Sequence, residues 1–161
     1  MQSLSKCLAP LTICTIMLVV FGTASAQEPK QVKPEPVDED SPMRIFKGIE
    51  TAWKSADSEK LSGYAGESRI YLKVEGMDKD PGFFSKSQVY YLFKTMFANY
   101  RQTKFEFVRY HNVDRSDRKV FGIAHRNYKN SRSGKLFQDK VYVTLKKEGK
   151  RWVVAEIKTT S

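Results

Sequence analysis

Few side chains in this 161-residue sequence could move a proton near neutral pH. It holds two histidines, His111 and His125, and two cysteines, Cys7 and Cys14. A general base needs an imidazole, or a carboxylate desolvated enough to titrate near neutrality. His111 is followed three residues later by Asp114, across the end of a strand. His125 shares strand parity with Phe121 and Ile123, which points it toward a core. Asp139 shares parity with Phe137 and Val141, but Lys140 beside it favours an ion pair on a rim. Glu156 sits between two parities and is likewise expected to be ion-paired on a rim. No nucleophile–His–acid order, phosphate loop, nucleotide fingerprint or metal-ligand spacing occurs. No catalytic residue and no metal or other cofactor is therefore expected, two histidines and two cysteines being too few for a multi-His or Cys-based centre.

Aromatic and basic residues are the other candidates for chemistry. The chain has ten Phe and eight Tyr. Trp53, Tyr64, Tyr90, Phe93 and Phe97, with His125 as a polar handle, are candidates to line a ligand pocket, the usual form of a small-molecule site being apolar with few polar groups. Tyr90 and Tyr91 precede a stripe that has enough apolar members without them, so at least one is expected at an opening or interface. Lys and Arg outnumber Asp and Glu by 28 to 18. Residues 101–161 alone carry sixteen basic against six acidic residues. Arg126, Lys140, Lys146 and Arg151 are candidates for an anion-binding face there.

These residues must be held by elements that the sequence predicts. Ser41 and Pro42 suit an N-cap and a first helical position. Phe46, Ile49, Trp53 and Ala56 then recur at helical spacing, predicting an amphipathic helix over 42–56. A short helix follows from Asp57 or Ser58, stopped at Gly66. Ile70, Leu72 and Val74 alternate with polar residues as in a half-buried strand. A loop through Asp80-Pro81-Gly82 comes next. Ser85 and Gln88 form a capping box, and Phe84 and Val89 a hydrophobic staple around it. Val89, Leu92, Phe93, Met96, Phe97 and Tyr100 then line one side of a helix long enough to need a sheet beneath it. Residues 103–112, 118–129, 135–147 and 150–159 read as four strands joined by hairpin-scale turns, hence paired sequentially and antiparallel.

The first 26 residues, with Lys6, an apolar run from Leu8 to Phe21 and the ending Ala24-Ser25-Ala26, read as a secretory signal peptide cleaved near Ala26. Both cysteines leave with it. Residues 27–42 hold four prolines, two Lys and five acids, the composition of a flexible tether. Residues 43–161 then make a single domain. An exported chain is not expected to meet nucleic acid.

The order α-α-β-α-β-β-β-β, with a curved antiparallel sheet wrapped around N-terminal helices, resembles the α+β cone named after nuclear transport factor 2, the cystatin-like architecture. The chain is more closely similar to a family of small exported bacterial proteins with this fold and no assigned function. The stretches that carry the likeness are Ser85–Phe97 (SKSQVYYLFKTMF), Val120–Gly122 with Ile123, and Lys147–Val154 (KEGKRWVV) with Glu156 and Ile157, within residues 43–159. The expected export, the tether, the basic charge and the missing catalytic constellation point to a periplasmic or secreted accessory protein. It would bind a small molecule, an envelope protein, anionic glycan or lipid headgroups through the cone mouth or the basic sheet face, or pair as a homodimer through that face. Isomerase- and dehydratase-like members of the wider fold place an Asp or a His–Asp pair in the cone, so an enzyme using His125 or Asp139 is the alternative.

Overall fold

The structure, a computed structural model, describes residues 41–114 and 119–160. The expected signal peptide and the tether up to residue 40 lie outside the described residues. Ser41 and Pro42 belong to the folded domain, since Pro42 opens the first helix and is buried.

Helix α1 runs Pro42–Lys54, and the Ser41 hydroxyl accepts from the Met43 amide at 3.3 Å. Phe46, Ile49, Ala52 and Trp53 form its buried stripe. Asp57 caps α2, Ser58–Gly63, by accepting from the Lys60 amide at 2.8 Å. This helix ends before the expected stop at Gly66, and that glycine has another task, described below. Strand β1 is Ile70–Lys73. A short strand β2, Gly82–Phe84, lies where a loop was expected and pairs antiparallel with β1. The capping box at Ser85 and Gln88 is present, and α3 spans Lys86–Asn99. Strands β3 (Tyr100–His111), β4 (Val120–Asn130), β5 (Leu136–Glu148) and β6 (Arg151–Thr160) complete the chain.

The sheet order is β2-β1-β6-β5-β4-β3. Strands β3 to β6 pair sequentially and antiparallel, as the short turns require. Among the described strands β1 and β6 pair parallel, and a parallel bridge from Ala65 to Val154 lies beside them. The sheet is curved and does not close, and bulges bend it. Two interrupt β3, at Thr103 and Val108, and one interrupts β6 at Ala155. The free edge at β3 is partly guarded, since the Glu50 carboxylate of α1 accepts from the Phe107 amide at 3.1 Å.

The core lies between the helices and the inner sheet face. Trp53 stacks on Phe105 with ring centres 4.4 Å apart and meets Phe93 edge-on at 5.1 Å. Phe46 meets Phe107 at 5.0 Å. These rings leave no room for a side chain at Gly122 on β4. A Cβ at Gly122 would lie 2.8–2.9 Å from carbons of Phe107 and 2.9 Å from Phe46. The inner row of β4 is accordingly Val120, Gly122, Ala124, Arg126 and Tyr128, the first and last flanking two small residues and a guanidinium.

Candidate functional site

That row corrects two expectations. His125 does not face the core: it alternates with buried Ala124 and Arg126 and stands on the outer sheet face, opposite Glu106 and Lys140 in the strand register. Arg126 is no surface anion site, because it is wholly buried. Its Nε and Nη2 donate to Asp139 Oδ1 and Oδ2 at 2.9 and 2.5 Å. Nη2 also donates to the Glu75 carbonyl at 2.9 Å, and Nη1 approaches Met96 Sδ at 3.5 Å. The guanidinium lies 4.0 Å from the centre of the Tyr128 ring. Asp139 is thus ion-paired as expected, but inside the protein and not on a rim. Burial pushes its carboxyl above the ordinary value, and the two bonds from Arg126 oppose that shift.

The aromatic candidates divide. Trp53 and Phe93 are completely buried packing residues, and Trp53 Nε1 donates to Gln102 Oε1 at 3.1 Å. Phe97 is half-buried against both. Tyr64 is half-buried beside Gly48, where a Cβ would overlap its hydroxyl, and burial raises its pKa. Only Tyr90, of this set, reaches the principal groove.

Two basic candidates lie on the outer sheet face with His125. Lys140 is exposed, and Lys146 pairs with Glu148 at 2.9 Å. Glu156 pairs with Lys158 at 3.1 Å on the same face. The β6 bulge decides its side: Trp152 and Val154 face the core before Ala155, and Ile157 and Thr159 after it.

Arg151 belongs elsewhere. It borders an open groove of about 840 Å³ between the start of α3, the α2–β1 connection and the β5–β6 turn. Arg69, Lys86 and Arg151 contribute its cations, and none of the three makes an ion pair with a described carboxylate. Tyr90 and Tyr91 contribute the aromatic wall, their rings 5.1 Å apart and nearly perpendicular. Tyr91 is 64% exposed.

The groove's floor already holds a carboxylate. Glu148 accepts from the Glu67 amide at 2.8 Å and the Ser68 amide at 3.4 Å, and from Lys146 at 2.9 Å. A Cβ at Gly66 would overlap the Glu148 carboxylate, so glycine here makes room for the clasp. Hydrogen bonding from Ser68, then Lys146, with a further bond from the Glu67 amide, brings the Glu148 pKa down to about 2. Its charge is thereby spent within the fold, so the three cations are set against one further acid in the lining, the exposed Glu67.

The model for a family described as a domain of unknown function, DUF4783, matches residues 46–159. The chain belongs to the DUF4783 family. Its structure is similar to a DUF4783 protein of Bacteroides uniformis at 17% identity and a TM-score of 0.60, over 73% of this chain and 96% of that one. A DUF4783 protein of Bacteroides ovatus gives 20% identity and a TM-score of 0.55, over 70% and 90%. A ketosteroid isomerase-like protein of Erwinia carotovora atroseptica gives 14% identity and 0.57, over 73% and 90%. Identities this low show the fold alone, and that fold is the nuclear transport factor 2-like one. No curated protein matches the sequence.

In this DUF4783 domain, sequence reasoning missed Arg69, Lys86, Glu148 and the groove they share. Arg69 lies in the α2–β1 connection, Lys86 opens α3 and Glu148 ends β5, and the stretches that hold Lys86 and Glu148 signal a helix cap and a turn, not a ligand site. The stretch KEGKRWVV holds Glu148 and Arg151 and was a usable signal, but only for the turn. Among the described residues no three His, Cys, Asp or Glu gather as metal ligands.

Proposed function

We propose that this domain is an exported, non-catalytic binding module of the bacterial envelope that takes a small anionic ligand in the groove between α2, α3 and the β5–β6 turn. The observation that carries this reading is the convergence of Arg69, Lys86 and Arg151 beside Tyr90 and Tyr91, with no described carboxylate paired to any of the three. Cations held at a concave surface raise the local concentration of anions. Tyrosine rings offer flat apolar area with a polar tip. Binding is favoured over proton transfer by the occupants of the interior. Trp53, Phe93 and Phe105 fill it, and Asp139 is engaged by Arg126 through both oxygens.

The test is an NMR titration with acetate and with inorganic sulfate. Shifts are expected at Arg69, Lys86, Arg151 and Tyr90, weakening as sodium chloride rises toward physiological strength, where screening acts within about 8 Å. Lys86→Gln should weaken both anions and Lys140→Gln neither. Shifts confined to Lys140, Lys146 and His125 would move the site to the outer sheet face and overturn the reading, as would no shift at all.

A further inference from the structure

We propose that the groove and a small apolar cleft on the other side of Tyr91 form one bipartite site for an alkyl carboxylate. This inference rests on the anion-binding reading of the groove and adds the class of ligand.

Tyr91 is shared by the two hollows. The cleft, of about 190 Å³, is walled by Phe84, Leu92 and the Tyr91 ring, with Lys79 and Gln88 at its border. Groove and cleft thus meet at one exposed aromatic side chain on α3. Lys86 opens that helix and Leu92 lies six residues on, about 9 Å along its axis at 1.5 Å per residue. A carboxylate near Lys86, Arg69 and Arg151 can therefore carry a tail over the Tyr91 ring to Leu92 and Phe84.

Charge complementarity fixes the head of the ligand. The three cations outnumber the acids of the groove: Glu148 is already engaged by Lys146 and two backbone amides, and Glu67 is the one further carboxylate of the lining. The cleft fixes the tail, since its walls reward burial of methylenes. A peptide would want main-chain partners. The strand nearest the cleft, β2, is three residues long, too short to seat an extended chain.

The experiment is calorimetry and NMR on the full chain with acetate, butanoate, hexanoate and octanoate, with 1-hexanol as the neutral comparison. Affinity should rise about threefold to fourfold with each methylene placed in the cleft, then level off once it is full. The Tyr91 ring and Leu92 methyl signals should move with the longer acids and not with acetate. Hexanoate should bind at least tenfold tighter than 1-hexanol. Lys86→Gln should weaken every acid alike, and Tyr91→Ala should flatten the dependence on chain length.

Equal affinity for acetate and octanoate, with the charge dependence intact, overturns the bipartite site and leaves the groove reading standing. Hexanol matching hexanoate, with Lys86→Gln silent, overturns both. An acetylated Gly-Leu dipeptide binding tighter than octanoate overturns the alkyl assignment in favour of a peptide.

Discussion

The guanidinium of Arg126 and the carboxylate of Asp139 meet inside the cone through two hydrogen bonds of 2.9 and 2.5 Å, one strand apart and opposite each other in register. The pair ties β4 to β5, and the third bond of Arg126, to the Glu75 carbonyl, ties both to the turn after β1. Two charges taken from water regain little more than they lost, so such a pair matters chiefly when it is broken.

Asp139→Leu should therefore cost about 3–5 kcal/mol, because it strands a buried guanidinium. The double variant Arg126→Met with Asp139→Leu should be less destabilised than Asp139→Leu alone. Urea denaturation of the two single variants and the double variant reads the coupling directly. Simple addition of the two losses would mean that the charges do not act as a pair.

Phe93 and Phe97 belong to one stripe of α3 but differ in depth. Phe93 has no exposed surface and touches Trp53 edge-on at 5.1 Å, while Phe97 is half-buried and 6.2 Å from the same ring. Phe93→Ala should cost about 3–5 kcal/mol and Phe97→Ala clearly less. Equal denaturation midpoints for the two variants would contradict the depth order.

Gly122→Ala should cost about 1–3 kcal/mol despite adding only a methyl group, since overpacking a full core forces strain. The added carbon would press on Phe107 and Phe46, two rings that already pack on each other. Thermal melts check this, and a rise in melting temperature would show spare room that the packing denies.

The same glycine explains where sequence reasoning worked and where it stopped. The four-strand run, the capping box at Ser85 and the buried row Val141, Val143 and Leu145 were legible because hydrophobic alternation and turn residues are local signals. On β4 the alternation misleads. Its large apolar residues, Phe121 and Ile123, lie outward and only half-buried, while the inward row carries a glycine, Gly122, where rings from α1 and β3 fill the space, and a buried guanidinium at Arg126. Parity then put His125 inside and Arg126 outside, the reverse of the structure. On β6 the Ala155 bulge shifts the alternation by one, which no period-two pattern can register. The groove was illegible for a different reason: Arg69, Lys86 and Arg151 come from three elements, and nothing in their spacing announces that they converge.

Glu148 and Gly66 supply the final prediction. The lowered pKa of Glu148, about 2 against an ordinary 4.5, means that its charged form favours the folded state. This stability is complete above pH 4.5 and is lost as pH falls through about 2. The carboxylate is partly exposed, so screening holds the contribution to about 1 kcal/mol. Glu148→Gln should lower stability at pH 7 by that amount and bring the variant level with the parent near pH 2. Gly66→Ala should do the same by evicting the carboxylate from the Glu67 and Ser68 amides, because its methyl group would take the carboxylate's place. If both act on one clasp, the double variant should be little worse than either single one. Denaturation midpoints between pH 2 and 7 measure all three, and additive losses that do not change with pH would break the link between glycine and carboxylate.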